Sequence, residues 1–368
     1  MKYTMKIFVL TSIFIGALWF FGSNMDEVMF GTVKTTMAAE AKLPVISLRS
    51  DGVAANRLYG YTTAIDMFSV REHMVAVEKE HMVELLIAEN DTDVRKLHYE
   101  VVHVDSRTEV AEGTINAFDK EGENKLARLK VTEQMESGQE YAVEVMLVDS
   151  ESRRIYYYFR IKYYDDSCFA EKVTFIHEFS DWARKKEINA VIPYLESTYR
   201  GEGSTYAHVD IKDSYYMVCW GNLEPRLLTE PILNISEIYS NISVGTLRYM
   251  VELTTDTGEE QYYITEKFRI IVTENSKHLL NYERIMESVF DVSLASISQS
   301  QLKIGITNET NPEFLTNADG SMLAFVRNKE LWHYNMAENR LSKVFSMRAA
   351  KETLHGVSDE QYDVRVLK

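Results

Sequence analysis

The chain has only two cysteines and five prolines in 368 residues. Two thiols, Cys168 and Cys219, are too few for the disulfide framework of a small secreted scaffold; at most they make one bridge. Cys219 also lies in the apolar run Tyr215–Trp220, where a buried free thiol is the competing reading. Scarce proline beside 22 tyrosines argues for long extended strands over flexible linkers. Basic clusters are missing too. Beyond Arg184-Lys185-Lys186 no run of three Lys or Arg occurs, and the formal net charge is −16. A nucleic-acid binder needs a basic face, so that class of partner is excluded.

Charge is absent altogether from residues 7–25, a span built around the apolar run Ile7–Gly22. A helix needs about 20 such residues to cross the hydrocarbon core. Lys2, Lys6 and the α-amino group precede the run, and Asp26 and Glu27 follow it. The positive-inside bias then keeps the N-terminus cytoplasmic and sends the bulk outward. A cleaved secretory signal is the rival reading. Gly22-Ser23-Asn24-Met25 is a poor cleavage site, and Ala39-Glu40-Ala41 lies too far downstream. Both readings export the rest of the chain. The expected location is the cell membrane, single-pass, with the bulk extracytoplasmic.

Residues 1–25 are thus a cytoplasmic tip and transmembrane helix, and 26–42 a polar stalk. From Leu43 the apolar pattern alternates. Strands are predicted at 43–49, 82–88, 96–104, 110–117, 125–131, 140–148 and 154–164, separated by polar turns, with a short helix an option for 62–74. That spacing predicts an antiparallel β-sandwich of the immunoglobulin or fibronectin III type over 43–166. Next, Val173, Ile176, Phe179 and Ala183 take helical spacing, and Asn189 can cap a second helix with Pro193 in or beside its first turn. Strands predicted at 205–212, 214–220, 246–256 and 260–273 complete an α+β domain over 167–275. Leu279, Tyr282, Met286 and Phe290 recur at helical spacing, so 276–299 is expected to be a helical connector. Over 300–368, Leu323–Arg327, Asn328-Lys329, Glu330–Tyr334 and Leu341 follow the order of a β-propeller blade. One blade cannot cover its own faces, and Val364–Lys368 looks like another strand, so the chain is expected to be the front of a longer protein.

Tyr141-x-Val143-Glu144-Val145 recurs as Tyr249-x-Val251-Glu252-Leu253, with return strands Phe159-Arg160-Ile161 and Phe268-Arg269-Ile270. Duplication and simple likeness of amphipathic hairpins both produce such an echo. The anchor, the sandwich, Val218-Cys219-Trp220-Gly221, Tyr262-Tyr263-x-x-Thr265-Glu266-Lys267-Phe268-Arg269 and Leu331-Trp332-His333-Tyr334 succeed one another. In this the chain resembles uncharacterised single-pass surface proteins of clostridia-type gut bacteria, in which a propeller-like region follows the membrane-proximal domains. The resemblance implies no activity and carries no functional residues.

Motifs for chemistry are incomplete. His177-Glu178 lacks the second histidine that would face the same metal one turn later. Gly201-Glu202-Gly203 lacks the lysine of a phosphate loop, and Asp319-Gly320 lacks the first oxygen ligand of a calcium loop. No Gly-x-Ser-x-Gly elbow occurs. No metal or other cofactor is therefore expected. The best binding candidate is the outward row Tyr156, Tyr158, Arg160, Lys162 and Tyr164, whose rings and cations suit a glycan or a protein ligand. Packing of the same row against a neighbouring domain is the competing reading. The leading expectation is a binding or scaffolding protein of the cell envelope. An enzyme acting on extracellular glycan or peptidoglycan, or a sensor ectodomain, are the alternatives.

Overall fold

The computed structural model describes residues 29–30, 36–37, 43–78, 82–131, 135–196, 205–255, 258–290, 297–298, 301–302, 304–307 and 314–346. The expected anchor and the strand at Val364–Lys368 lie outside the described residues. Among those described, no helix is long and apolar enough to cross a membrane. The protein is mainly β, in several largely antiparallel sheets.

Two short strands come first, β1 (Met29–Phe30) and β2 (Thr36–Met37), within the segment expected to act as a stalk. Ten strands then build a sandwich: β3 (Val45–Ser50), β4 (Val53–Tyr59), β5 (Met74–Val77), β6 (Met82–Ala88), β7 (Val94–His103), β8 (Glu109–Ile115), β9 (Asp119–Glu121), β10 (Asn124–Lys130), β11 (Glu140–Asp149) and β12 (Arg154–Tyr163). One sheet runs β4-β3-β6-β10-β9 and the other β5-β12-β11-β7-β8. Only β5 breaks the antiparallel rule, lying parallel to β12. Period-two alternation explains the pairing. Tyr141, Val143, Val145 and Leu147 on β11, with Tyr157, Phe159 and Ile161 on β12, turn their side chains into the shared core. Full burial of each such Val, Leu or Phe is worth roughly 1.5–3 kcal/mol. Two phenols stitch the layers together. The Tyr157 hydroxyl donates to the Pro44 carbonyl at 2.7 Å, and that of Tyr99 to Lys130 at 3.0 Å. The Tyr141 hydroxyl accepts from the Glu136 N–H at 2.9 Å and fastens the corner before β11.

The second unit lays the helix α1 (Phe169–Arg184) across a sheet. Short helices α2 (Ile188–Val191) and α3 (Tyr215–Val218) flank the strands β13 (His208–Asp210), β14 (Arg226–Leu227), β15 (Ile232–Ile238), β16 (Ile242–Thr255), β17 (Gly258–Thr273) and β18 (Ser276–Ser288). The sheet order is β13-β18-β17-β16-β14, with β15 also on β16. The stripe Val173, Ile176, Phe179 and Ala183 is buried as its spacing predicts. Phe179 packs edge-on to Tyr282 at 5.1 Å and to Phe268 at 6.0 Å.

Three expectations are corrected here. Residues 276–288 form a strand instead of a helix. Leu280 is the extra residue of a β-bulge, since Ile270 pairs with Leu279 and Arg269 with Asn281. The bulge puts Leu279 and Tyr282 three apart on one face, which imitates a helical stripe. Residues 214–220, expected as a strand, hold the one-turn helix α3, whose Ser214 side chain accepts from the Met217 N–H. The helix α2 is preceded by Glu187, not capped by Asn189, and Pro193 falls in the 3₁₀ turn Ile192–Tyr194 that follows. Residues 62–73 are irregular, and β4, β5 and β15 were not expected.

The third unit contains a minimal hairpin, β19 (Ile297–Ser298) with β20 (Gln301–Leu302), and a meander of β21 (Phe314–Thr316), β22 (Met322–Arg327), β23 (Glu330–Asn335) and β24 (Arg340–Ser346). β1 and β2 add to β24 in parallel. Asn328 and Lys329 both take positive φ, at 49° and 60°, as a two-residue hairpin turn with matching twist requires. A small core of its own gathers Phe290, Phe325, Trp332, Tyr334 and Leu341.

The first two units share one continuous core. Their joint is pinned by Asn56, the extra residue of a bulge between β3 and β4, at φ 63°. Asparagine tolerates that left-handed conformation better than most residues. From there its amide donates to the Met74 carbonyl at 2.8 Å and accepts from the Ile235 N–H at 2.7 Å. Asn234 returns the contact by accepting from the Arg57 N–H at 3.3 Å. Asn56→Ala should lower stability to denaturant by about 2–4 kcal/mol, through two orphaned buried groups and an unfavourable φ. Asn56→Gly should lose about 1 kcal/mol less, because only the hydrogen bonds go. Equal losses in urea melts of the two variants would show that φ plays no part.

Candidate functional site

The row picked out on β12 does not form one open surface. The Tyr156 backbone pairs with Tyr61 through two 2.9 Å hydrogen bonds, and its side chain is half-buried. Tyr158 is buried beneath the strap 61–73: its hydroxyl accepts from the Ile65 N–H at 3.0 Å, and its ring lies 5.9 Å from that of Tyr61. Burial pushes the phenol up to about 12. Arg160 is only 1% exposed. It donates to the carbonyls of Val70 at 2.7 Å and Phe68 at 3.0 Å, with Glu140 at 3.3 Å, and burial holds its pKa below the usual arginine value. The far end of the strap is held by Arg107, which sits 3.4 Å over the Phe68 ring. Lys162 reaches the second unit, donating to Ile238 at 3.2 Å and lying over the Tyr239 ring. Tyr164 is half-buried at the same joint, and its N–H donates to Val77. Most of the row therefore works inside the molecule, tying strap and neighbouring unit to the sheet.

What stays open on that sheet is acidic. Cross-strand register sets Glu144, Glu100 and Glu112 side by side next to Tyr158, with His98 one row away hydrogen-bonded to Thr114. Burial, with some repulsion from Glu100, raises the Glu144 carboxyl above its usual range. Among the described residues no group of three His, Cys, Asp or Glu is arranged to hold a metal.

A second polar cluster, which sequence reasoning missed, occupies the interior of the α+β unit. Glu266 on β17 and Arg284 on β18 are direct cross-strand partners, and both are fully buried under α1 and α3. Glu266 accepts from Ser180 of α1 at 2.5 Å and from Tyr282 at 2.7 Å. Burial drives the Tyr282 and Tyr249 phenols well above the normal tyrosine range, so both stay protonated. Arg284 turns toward α3, donating to the carbonyls of Val218 at 2.7 Å and Met217 at 2.9 Å while its guanidinium lies 4.0 Å over the Trp220 ring. No exposed path to these groups is needed for their structural role. The readable signal was a charge at a core position of each alternation: Glu266 between Ile264 and Phe268, Arg284 between Tyr282 and Met286. The second of these was hidden by the helical reading of β18.

The two cysteines are free, which corrects the bridge expected as an option. Cys168 starts α1, its thiol resting 3.5 Å from the Asp166 carboxylate. Cys219 is buried at the end of α3. The echoed hairpins also part company: Arg160 is buried in a sandwich sheet, whereas Arg269 is exposed on a sheet covered by a helix. Comparison with known proteins adds no relationship, since no family model matches the chain and a search of curated proteins finds no match.

Lys172 ties α1 to the turn between β15 and β16 inside the second unit. It is fully buried on α1 and donates to the carbonyls of Tyr239 at 3.1 Å and Ser240 at 2.9 Å. Burial pushes its ammonium down to about 8, against the opposing pull of Cys168, Glu78, Asp166 and Glu171. An unfolded lysine holds its proton to about 10.5, so between these values the unfolded chain binds more protons and stability rises with pH. Cys168 opposes this from about pH 9 upward, because burial keeps the folded thiol protonated to about 11. Between pH 7.5 and 9 the denaturation midpoint should climb in the wild type and stay flatter in Lys172→Met. Parallel slopes would remove Lys172 from the account.

Proposed function

We propose that this chain is a single-pass, extracytoplasmic protein of the cell envelope that acts by binding or scaffolding. The observation that carries this reading is the continuous core, pinned by Asn56 and Lys162, that joins the sandwich to the α+β unit. Two units fused in that way hold their outer surfaces at a fixed spacing, which is what a scaffold or a presenting arm requires. The uncharged span 7–25, with its flanking charges, supports the membrane anchor.

The sandwich takes the immunoglobulin or fibronectin III type in this reading. Its β5 strand lies parallel to the last strand, and the Tyr141 hydroxyl is fastened to backbone just upstream, a corner characteristic of such folds. The third unit is a propeller-like blade, supported by its four-stranded meander and a core of five buried side chains that wants neighbours. The ligand is a glycan or a protein that meets the sandwich beside Tyr61, Tyr156 and the open acidic row.

Two measurements on intact cells test the location. The tagged protein should sediment with membranes and resist alkaline extraction. Protease added outside should remove everything beyond the anchor. Recovery of full-length protein from the cytosol, untouched by external protease, would overturn the proposal.

A further inference from the structure

The Arg284–Trp220 stack leaves hydrogen-bonding capacity that nothing around it uses. Arginine carries five N–H donors in a fixed planar fork. Arg284 directs one at Val218 and one at Met217, and its Nε finds no acceptor although the side chain is fully buried. Trp220, equally buried, has an indole Nε1–H without an acceptor. The two side chains are stacked, so unmet donors from both lie in one small region of the core. Glu266 is the nearest carboxylate by register, but its two oxygens are engaged by Ser180 and Tyr282, and it makes no ion pair with Arg284 within 4.0 Å. Leaving a buried donor unmet is costly, and more so where the donor is charged. Two together in a natural core point to something that fills the place.

The chemistry of that occupant is restricted. Both orphaned atoms are donors only, so the occupant must accept at two points. One donor belongs to a guanidinium, which favours negative charge and suits the planar, two-oxygen face of a carboxylate. Arg284, Trp220 and Val218 are all fully buried, and that disfavours a heavily hydrated ion. The cover is a single helical turn. Tyr215 and Tyr216 on α3 are exposed at 46% and 45%, and Gly221 ends the turn at φ 49°, where an added Cβ would lie 1.9 Å from the Tyr206 hydroxyl.

We propose that the α+β unit binds a small organic carboxylate against Arg284, with the Trp220 indole N–H as the second donor and α3 as the cover. This site is separate from the sandwich surface and does not rest on the envelope location. The test uses the full chain, with acetate and benzoate as probes and with chloride and phosphate at matched ionic strength as controls. The carboxylates should raise the melting temperature saturably and shift the tryptophan fluorescence. Trp220→Phe keeps an aromatic ring but removes the indole donor, with some of the ring's volume. It should fold normally, weaken the carboxylate response at least fivefold and abolish the fluorescence change. Three results would overturn the proposal. No saturable carboxylate response beyond the controls would leave water as the occupant. Chloride or phosphate acting equally would make the site a general anion site. Unchanged binding in Trp220→Phe would place the carboxylate elsewhere.

Discussion

Irregular backbone carries carbonyl groups that no strand ladder satisfies, and here cations meet them wherever a loop crosses a sheet. Arg160 serves the strap at Phe68 and Val70, Lys162 and Lys172 the turn at 238–240, and Arg284 the helical turn at 217–218. Arg327 does the same for Ser288 and Ile306, holding the third unit to the end of β18. Three of these cations, Arg160, Lys172 and Arg284, are at most 1% exposed. A charged donor hydrogen-bonding a carbonyl is stronger than a neutral one, and its cost of burial falls only when every such bond is made. The device fixes each loop at one position, because a slip of one residue would leave both the cation and the carbonyls unmet.

That device also explains what could be read from the sequence and what could not. β6 was placed to the residue at 82–88, and β11 and β12 within one or two, because their apolar positions alternate without interruption. In β18 and β4 a bulge interrupts the alternation and the reading fails, whereas the inward Glu266 leaves β17 readable. Arg284 and the bulge at Leu280 turned β18 into an apparent helix. Asn56 and its bulge concealed β4, and β5 has only four residues to offer a pattern. The tyrosine row of β12 is expected to face outward, but the strap 61–73 covers Tyr158 and Arg160, and that strap is irregular and carries no periodicity to predict.

The candidate site residues follow the same division. The Tyr156–Tyr164 row drew attention through composition, yet its cations are spent on internal carbonyls. Glu266, Arg284 and Trp220 drew none, although all three are fully buried in the α+β unit. Inward-facing charge is a better guide than outward-facing aromatics in a chain whose strands are already rich in tyrosine. Recognising it requires the strand register first, since only register distinguishes an inward Glu266 from its outward neighbour Lys267.

The shared core at the joint has a consequence for how such a protein can evolve. A domain that ends at an exposed linker can be copied or exchanged as a cassette. Here the turn at Asp165-Asp166 resembles such a boundary, but Ile235, Asn56 and Met74 meet across it away from the chain's own connection. Recombination at that turn would strip an apolar face from each half and leave an asparagine with no counterpart. The sandwich and the α+β unit are therefore expected to be inherited together, while the thinly cored third unit is the piece free to be repeated or replaced.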